Sequence, residues 1–173
     1  MTPVRKHRVV VMGVSAVGKT TVGTLLASEL VLPFIDGDDL HAPEAIAKMA
    51  SGTPLDDDDR APWLRSCGRA LQQAPDGAVI ACSALRRRYR DLIRREAPDA
   101  VFVHLRADPA LVLRRAGERE GHFMPASLVT SQENALEPLE SDEVGYAADV
   151  NEGDAAALVH EIRMALEILR AAP

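Results

Sequence analysis

From Val9 to Met12 the chain is apolar at both alternating sets of positions. Residues 8–12 therefore predict a strand buried on two faces, as in a parallel sheet. Val22, Leu25, Leu26 and Leu30 recur at helical spacing and predict a helix over 19–30. A second short strand follows at 33–36, then a short helix at 45–50 that ends near Gly52. Residues 56–74 read as a helix with an acidic first turn, 78–82 as a buried strand, and 86–96 as a basic amphipathic helix stopped before Pro98. A strand at 100–105 leads to a helix at 109–119 opened by a proline in its first turn. The polar stretch 120–125 reads as a loop and 145–150 as a last strand. The terminal helix at 155–169 carries Leu158, Ile162, Leu166 and Leu169 on one face. Strands alternating with helices predict an α/β fold with a parallel sheet covered on both faces. Ligands in such folds sit beyond the carboxyl ends of the strands.

The chain has 173 residues with no repeat, low-complexity tract or long linker, so 1–173 is expected to form one domain. Aromatic residues make up 3%, which leaves the core to Val, Leu, Ile and Ala. A net charge of −6 and a pI near 5.4 weigh against a nucleic-acid partner. Cys67 and Cys82 fit no CxxC or zinc-ligand pattern and read as reduced thiols, with a cytoplasmic location expected. Arg5, Lys6 and Arg8 ahead of an apolar run mimic a signal peptide. That run is short and leads straight into Gly18-Lys19-Thr20, which favours a buried strand. No segment is long enough to span a bilayer, so no membrane partner is expected.

Gly13-Val14-Ser15-Ala16-Val17-Gly18-Lys19-Thr20 matches G-x-x-x-x-G-K-[ST] at every fixed position, between a predicted strand and a predicted helix. Such a loop turns backbone N–H groups inward and makes an anion nest at a helix N-terminus. Gly13, Ser15, Ala16, Val17, Gly18, Lys19, Thr20 and Thr21 are the expected ATP-binding residues, with Lys19 reaching the β- and γ-phosphates. The Thr20 hydroxyl is placed to ligate Mg²⁺. Asp36-Gly37-Asp38-Asp39-Leu40-His41 begins where the second strand ends, facing the same crevice. One carboxylate there can hold Mg²⁺ through water, and another can take or orient the proton of an attacking hydroxyl. His41 either bonds the substrate or caps the next helix.

With these segments the chain resembles bacterial gluconokinases. The resemblance is carried by the phosphate loop, by Phe34-Ile35-Asp36-Gly37-Asp38-Asp39-Leu40-His41, by Lys48-Met49 and by Gly52-Thr53-Pro54-Leu55. Asp59-Arg60, Pro62-Trp63-Leu64 and the run from Ala81-Cys82-Ser83-Ala84-Leu85 through Arg86-Arg87-Arg88-Tyr89-Arg90-Asp91 extend it. Gly121-His122-Phe123-Met124-Pro125, Ser131-Gln132 and Leu136-Glu137-Pro138 complete it. It implies transfer of the γ-phosphate of ATP to the 6-hydroxyl of D-gluconate, with Mg²⁺. It also implies a three-layer P-loop kinase fold related to shikimate and nucleoside-monophosphate kinases. That fold has a five-stranded parallel sheet in the order 2-3-1-4-5 and a mobile lid, here about 117–135. Homodimers are common in the family. By analogy with shikimate kinases, Asp36 would sit near Mg²⁺ through water and Asp38 would meet the acceptor hydroxyl. Relatives usually carry glycine where this chain has Ala16. Alanine at a positive φ costs about 1 kcal/mol, so either the loop avoids that angle or nucleotide affinity is somewhat weaker.

A sugar acid needs a cation in its pocket, preferably a bidentate guanidinium. Arg60, Arg86 and Arg90 are the candidates, and Arg86 and Arg90 share a helical face. The acidic run 56–59 reads as helix capping. Trp63 reads as packing or as a wall of the substrate pocket. In the lid, Arg119 is the candidate for the phosphates and is grouped with Lys19 and Asp38 as catalytic. Arg115 or Arg114 is the candidate for stacking on adenine, and His122 for touching either ligand. Two other readings compete: a kinase of another small hydroxylated acid such as shikimate, and a non-catalytic nucleotide-binding regulator. The second predicts loss of Lys19, the acidic loop or the lid arginines, and all are present.

Overall fold

The computed structural model describes residues 6–118, 126–150 and 153–171. Five parallel strands form one sheet in the order β2-β3-β1-β4-β5. They are β1 His7–Met12, β2 Phe34–Asp36, β3 Gly77–Ala81, β4 Val101–Arg106 and β5 Gly145–Asp149. The helices are α1 Lys19–Leu30, α2 Pro43–Ala50, α3 Asp57–Gln73, α4 Arg87–Glu96, α5 Pro109–Glu118, α6 Ala126–Ala135 and α7 Ala155–Ala171. The expected strand order and all five strands are present. Helix α6 falls where no helix is expected from the sequence.

Strand β1 lies at the centre, paired with β3 on one side and β4 on the other. Val9, Val10, Val11 and Met12 are fully enclosed, which is why the run is apolar on both faces. Val9 and Val11 face one core with Val79, Val103 and Leu105, closed by Val22 and Leu26 of α1 and Ile162 and Leu166 of α7. Val10 and Met12 face the other with Ile80 and Phe102, closed by Leu64 and Leu71 of α3 and Ile93 of α4.

Helix α1 buries Val22, Gly23, Leu26 and Ala27, whereas Leu25 is exposed. Val22 and Leu26 of the stripe read in the sequence are thus buried and Leu25 is not, and the Phe34 ring lies against Gly23. A Cβ there would come within 2.7 Å of the ring. Helix α3 begins with a reciprocal capping box. The Asp56 side chain accepts from the Asp59 N–H at 2.8 Å, and the Asp59 carboxylate accepts from the Asp56 N–H at 3.0 Å. The acidic run therefore caps the helix, as its position suggests. Among the described residues no helix is long and apolar enough to cross a membrane.

Candidate active site

The phosphate loop joins β1 to α1 beyond the carboxyl edge of the sheet. Helix α1 has no side-chain cap: its N-cap is Gly18 at φ 109°, a left-handed geometry open to glycine. Its first amides are thus left for an anion. Ala16 takes φ 63°, so the loop keeps the left-handed angle despite the missing glycine. The loop is fixed from both sides. Gly13 N–H donates to the Ser83 carbonyl at 3.2 Å, and Lys19 Nζ donates to the Val14 carbonyl at 2.8 Å. Ser15 N–H donates to Gln132 Oε1 of α6 at 2.6 Å.

Two cavities meet along this loop. The first, about 530 Å³, is lined by Ala16, Val17, Gly18, Thr21 and Arg115, and by Val150, Ala157 and Leu158 from the β5–α7 side. Arg115 also donates to the Val17 carbonyl at 3.2 Å, which ties α5 to the loop. The second, about 480 Å³, is lined by Ser15, Lys19 and Thr20 on one side. Asp36, Asp38, His41, Arg60, Trp63 and Gln132 also line it. Ala16, Val17 and Gly18 thus face one cavity and Ser15, Lys19 and Thr20 the other, so an elongated anion lying across the nest can enter both.

The acidic segment after β2 folds into a 3₁₀ turn, Gly37–Leu40, rather than an open loop. Asp36 caps it by accepting the Asp38 N–H at 3.0 Å. Gly37 is required by close approach, since a Cβ would stand 2.4 Å from the Ala81 carbonyl oxygen. Trp63 Nε1 donates to the Gly37 carbonyl at 2.7 Å, and its ring stacks on His41 with centroids 4.3 Å apart. Trp63 is therefore both packing and pocket wall. Burial lowers the pKa of His41; Asp38 opposes that shift and Arg60 adds to it. The hydrogen bond between the Cys67 and Cys82 thiols, helped by burial, pushes the Cys67 pKa up.

Of the arginines expected at the acceptor, only Arg60 lines this cavity. Arg90 is fully buried, and its guanidinium is consumed inside the protein. It pairs with Glu143 at 2.7 and 2.8 Å and donates to the carbonyls of Ala84, Leu85, Glu137 and Pro138. It holds structure and has no donor left to face a substrate. Arg86 precedes α4 with its guanidinium 6.0 Å from the Tyr89 ring centre and is not among the residues that line the cavity. Arg119 and His122 lie outside the described residues, as does the expected loop at 120–125.

Thr20 and Asp36 face one cavity, and no group of three or more metal-ligating His, Cys, Asp or Glu side chains occurs among the described residues. This sparse oxygen set suits Mg²⁺, which keeps several waters and takes its other ligands from phosphate. The sequence reading missed the walls from Val150, Ala157 and Leu158. It carried Gln132 only as part of a motif, without its contact to the phosphate loop. No local pattern marks either, because both depend on where α6 and α7 pack.

The shikimate kinase family model matches residues 15–155 of the chain. The chain is 41% identical over 165 residues to the thermosensitive gluconokinase of Escherichia coli, covering 93% of this chain and 88% of that one. It is 49% identical over 137 residues to a gluconokinase of Gluconobacter oxydans, covering 78% and 77%. The crystal structure of a gluconokinase from Sinorhizobium meliloti superposes with a TM-score of 0.83 at 40% identity, over 98% of this chain and 100% of that one.

Proposed function

The chain belongs to the gluconokinase family, and from that premise we propose that it transfers the γ-phosphoryl group of ATP to the 6-hydroxyl of D-gluconate, giving 6-phospho-D-gluconate. The observation that carries this reading is the pair of cavities that share the phosphate loop, with Asp38 and Arg60 lining the second. The adenosine occupies the cavity walled by Val150 and Leu158, beside Arg115. The triphosphate crosses the nest, and Lys19 leaves the Val14 carbonyl to neutralise the β- and γ-phosphates. The acceptor lies opposite, with its terminal hydroxyl at Asp38 and its carboxylate at Arg60.

Asp38 orients the 6-hydroxyl in line with the γ-phosphorus and takes its proton as the new P–O bond forms and the bond from the γ-phosphorus to the bridging oxygen breaks, with ADP leaving. The 3₁₀ turn holds Asp38 toward the cavity through the Asp36 cap. Thr20, and Asp36 through water, would hold Mg²⁺, which would supply positive charge to offset that of the phosphates. Arg119 is assigned to the phosphates, and His122 to either ligand, by family resemblance alone.

The test is ADP release with Mg·ATP against a panel of sugar acids, the matching neutral sugars, shikimate and nucleoside monophosphates. Gluconate is expected to give the highest kcat/KM. An inert gluconate beside an active alternative acceptor would remove the substrate assignment.

A further inference from the structure

The acceptor cavity holds Arg60 in a particular way. Arg60 Nη1 donates to Tyr89 Oη at 3.3 Å, and its guanidinium carbon stands 5.8 Å from the Tyr89 ring centre. The Tyr89 hydroxyl in turn donates to Asp57 Oδ1. Asp57 Oδ2 is ion-paired with Arg88, whose guanidinium stands 5.6 Å from the same ring. Tyr89 is 6% exposed and belongs to α4, while Asp57 and Arg60 are three residues apart at the start of α3. Neither Tyr89 nor Asp57 lines the cavity.

An arginine side chain is long, and ordering it costs up to about 2 kcal/mol of rotamer entropy. A buried phenol that accepts one N–H, and is itself polarised by a carboxylate, settles part of that ordering before the ligand arrives. One donor of the guanidinium is then engaged, while the side chain lines the cavity. The phenol's hydroxyl is needed for this; its ring is needed for the α3–α4 core.

We propose that Tyr89 and Asp57 are positioning residues that hold Arg60 for the carboxylate end of a polyhydroxy acid, and so set the preference for the acid over the neutral sugar. This rests on the reading of Arg60 as the carboxylate anchor. Tyr89→Phe keeps the ring and removes the hydroxyl, and Asp57→Asn keeps an acceptor and removes the charge.

The experiment is steady-state kinetics with gluconate and with ATP on Arg60→Ala, Tyr89→Phe, Asp57→Asn and the Arg60→Ala/Tyr89→Phe double variant, with Tm for each. Tyr89→Phe is expected to raise KM for gluconate about fivefold, with kcat and KM for ATP within about twofold and Tm unchanged. Asp57→Asn is expected to give a smaller rise in the same parameter. In the Arg60→Ala background Tyr89→Phe is expected to add less than about twofold, because its effect passes through Arg60. An unchanged KM for gluconate in Tyr89→Phe, or its full factor persisting without Arg60, overturns the positioning role. A lowered Tm with equal losses for both substrates overturns it in favour of packing. If Arg60→Ala itself leaves KM for gluconate unchanged, the anchor reading falls and this inference with it. Detectable gluconate turnover in that variant would leave the kinase assignment standing.

Discussion

Alanine 16 sits at φ 63° in the phosphate loop. A left-handed alanine costs about 1 kcal/mol in the folded chain. Glycine in its place would remove that strain, but it would free the unfolded chain by about 0.4–1 kcal/mol. The two effects nearly cancel, which accounts for the tolerance of alanine there. Ala16→Gly is therefore expected to change stability by less than about 0.5 kcal/mol, measured by urea unfolding. Asp38 belongs to a different case, since it lines the acceptor cavity on a capped turn. Asp38→Asn is expected to lower kcat by about 100-fold or more while the Kd for ATP, from calorimetry, moves by less than about threefold. Single residues also mark where sequence reading stops. Arg60 and Arg90 are the same residue type in two motifs of one resemblance, yet one faces the cavity and the other is fully enclosed. Nothing local to either position distinguishes them.

Helix α4 is anchored to the segment before β5 through Arg90 and Glu143, both with fully enclosed side chains. Arg94 joins the same carboxylate at 2.6 Å. Removing one partner of such a group leaves a buried charge short of hydrogen bonds. Arg90→Ala is expected to cost about 3 kcal/mol in urea unfolding, while KM for gluconate per folded molecule stays unchanged. A raised KM at unchanged stability would return Arg90 to the substrate site. Most elements were legible in the sequence because each carries its own signal. Strand β1 is apolar from Val9 to Met12, and α3 opens on an acidic run that reads as capping. Helix α6 was not legible: of its residues only Val129 is buried, so no apolar stripe exists to be read. The 3₁₀ turn at Gly37–Leu40 was hidden for another reason, as Asp and Gly serve open turns and 3₁₀ turns alike.

Across the molecule, acid stability is set by groups that folding places in the interior. Burial first, then Arg106 and Arg90, hold the pKa of His104 down at about 4, against 6.5 when unfolded. The unfolded chain binds more protons between those values, so this contribution is complete above about pH 6.5 and is lost as pH falls to about 4. Burial pushes the Glu143 pKa up, but hydrogen bonds from Arg90, the Glu140 N–H and Arg94 outweigh it and hold it at about 2. Its contribution is lost between about pH 4.5 and 2. Tm is expected to fall in both windows, and His104→Leu is expected to flatten the decline between pH 6.5 and 4; an unaltered slope there would contradict the role given to His104. By itself the sequence determined the succession of strands and of every helix but α6, the phosphate nest and the family, because periodicity, the glycine-lysine loop and contiguous motifs are properties of neighbouring residues. Only the tertiary structure decided which arginine reaches the acceptor cavity, that α6 touches the phosphate loop through Gln132, and that β5 and α7 wall the other cavity. Those facts depend on how distant segments pack against one another, and a side chain's burial and partners are fixed by that packing, not by its sequence neighbours.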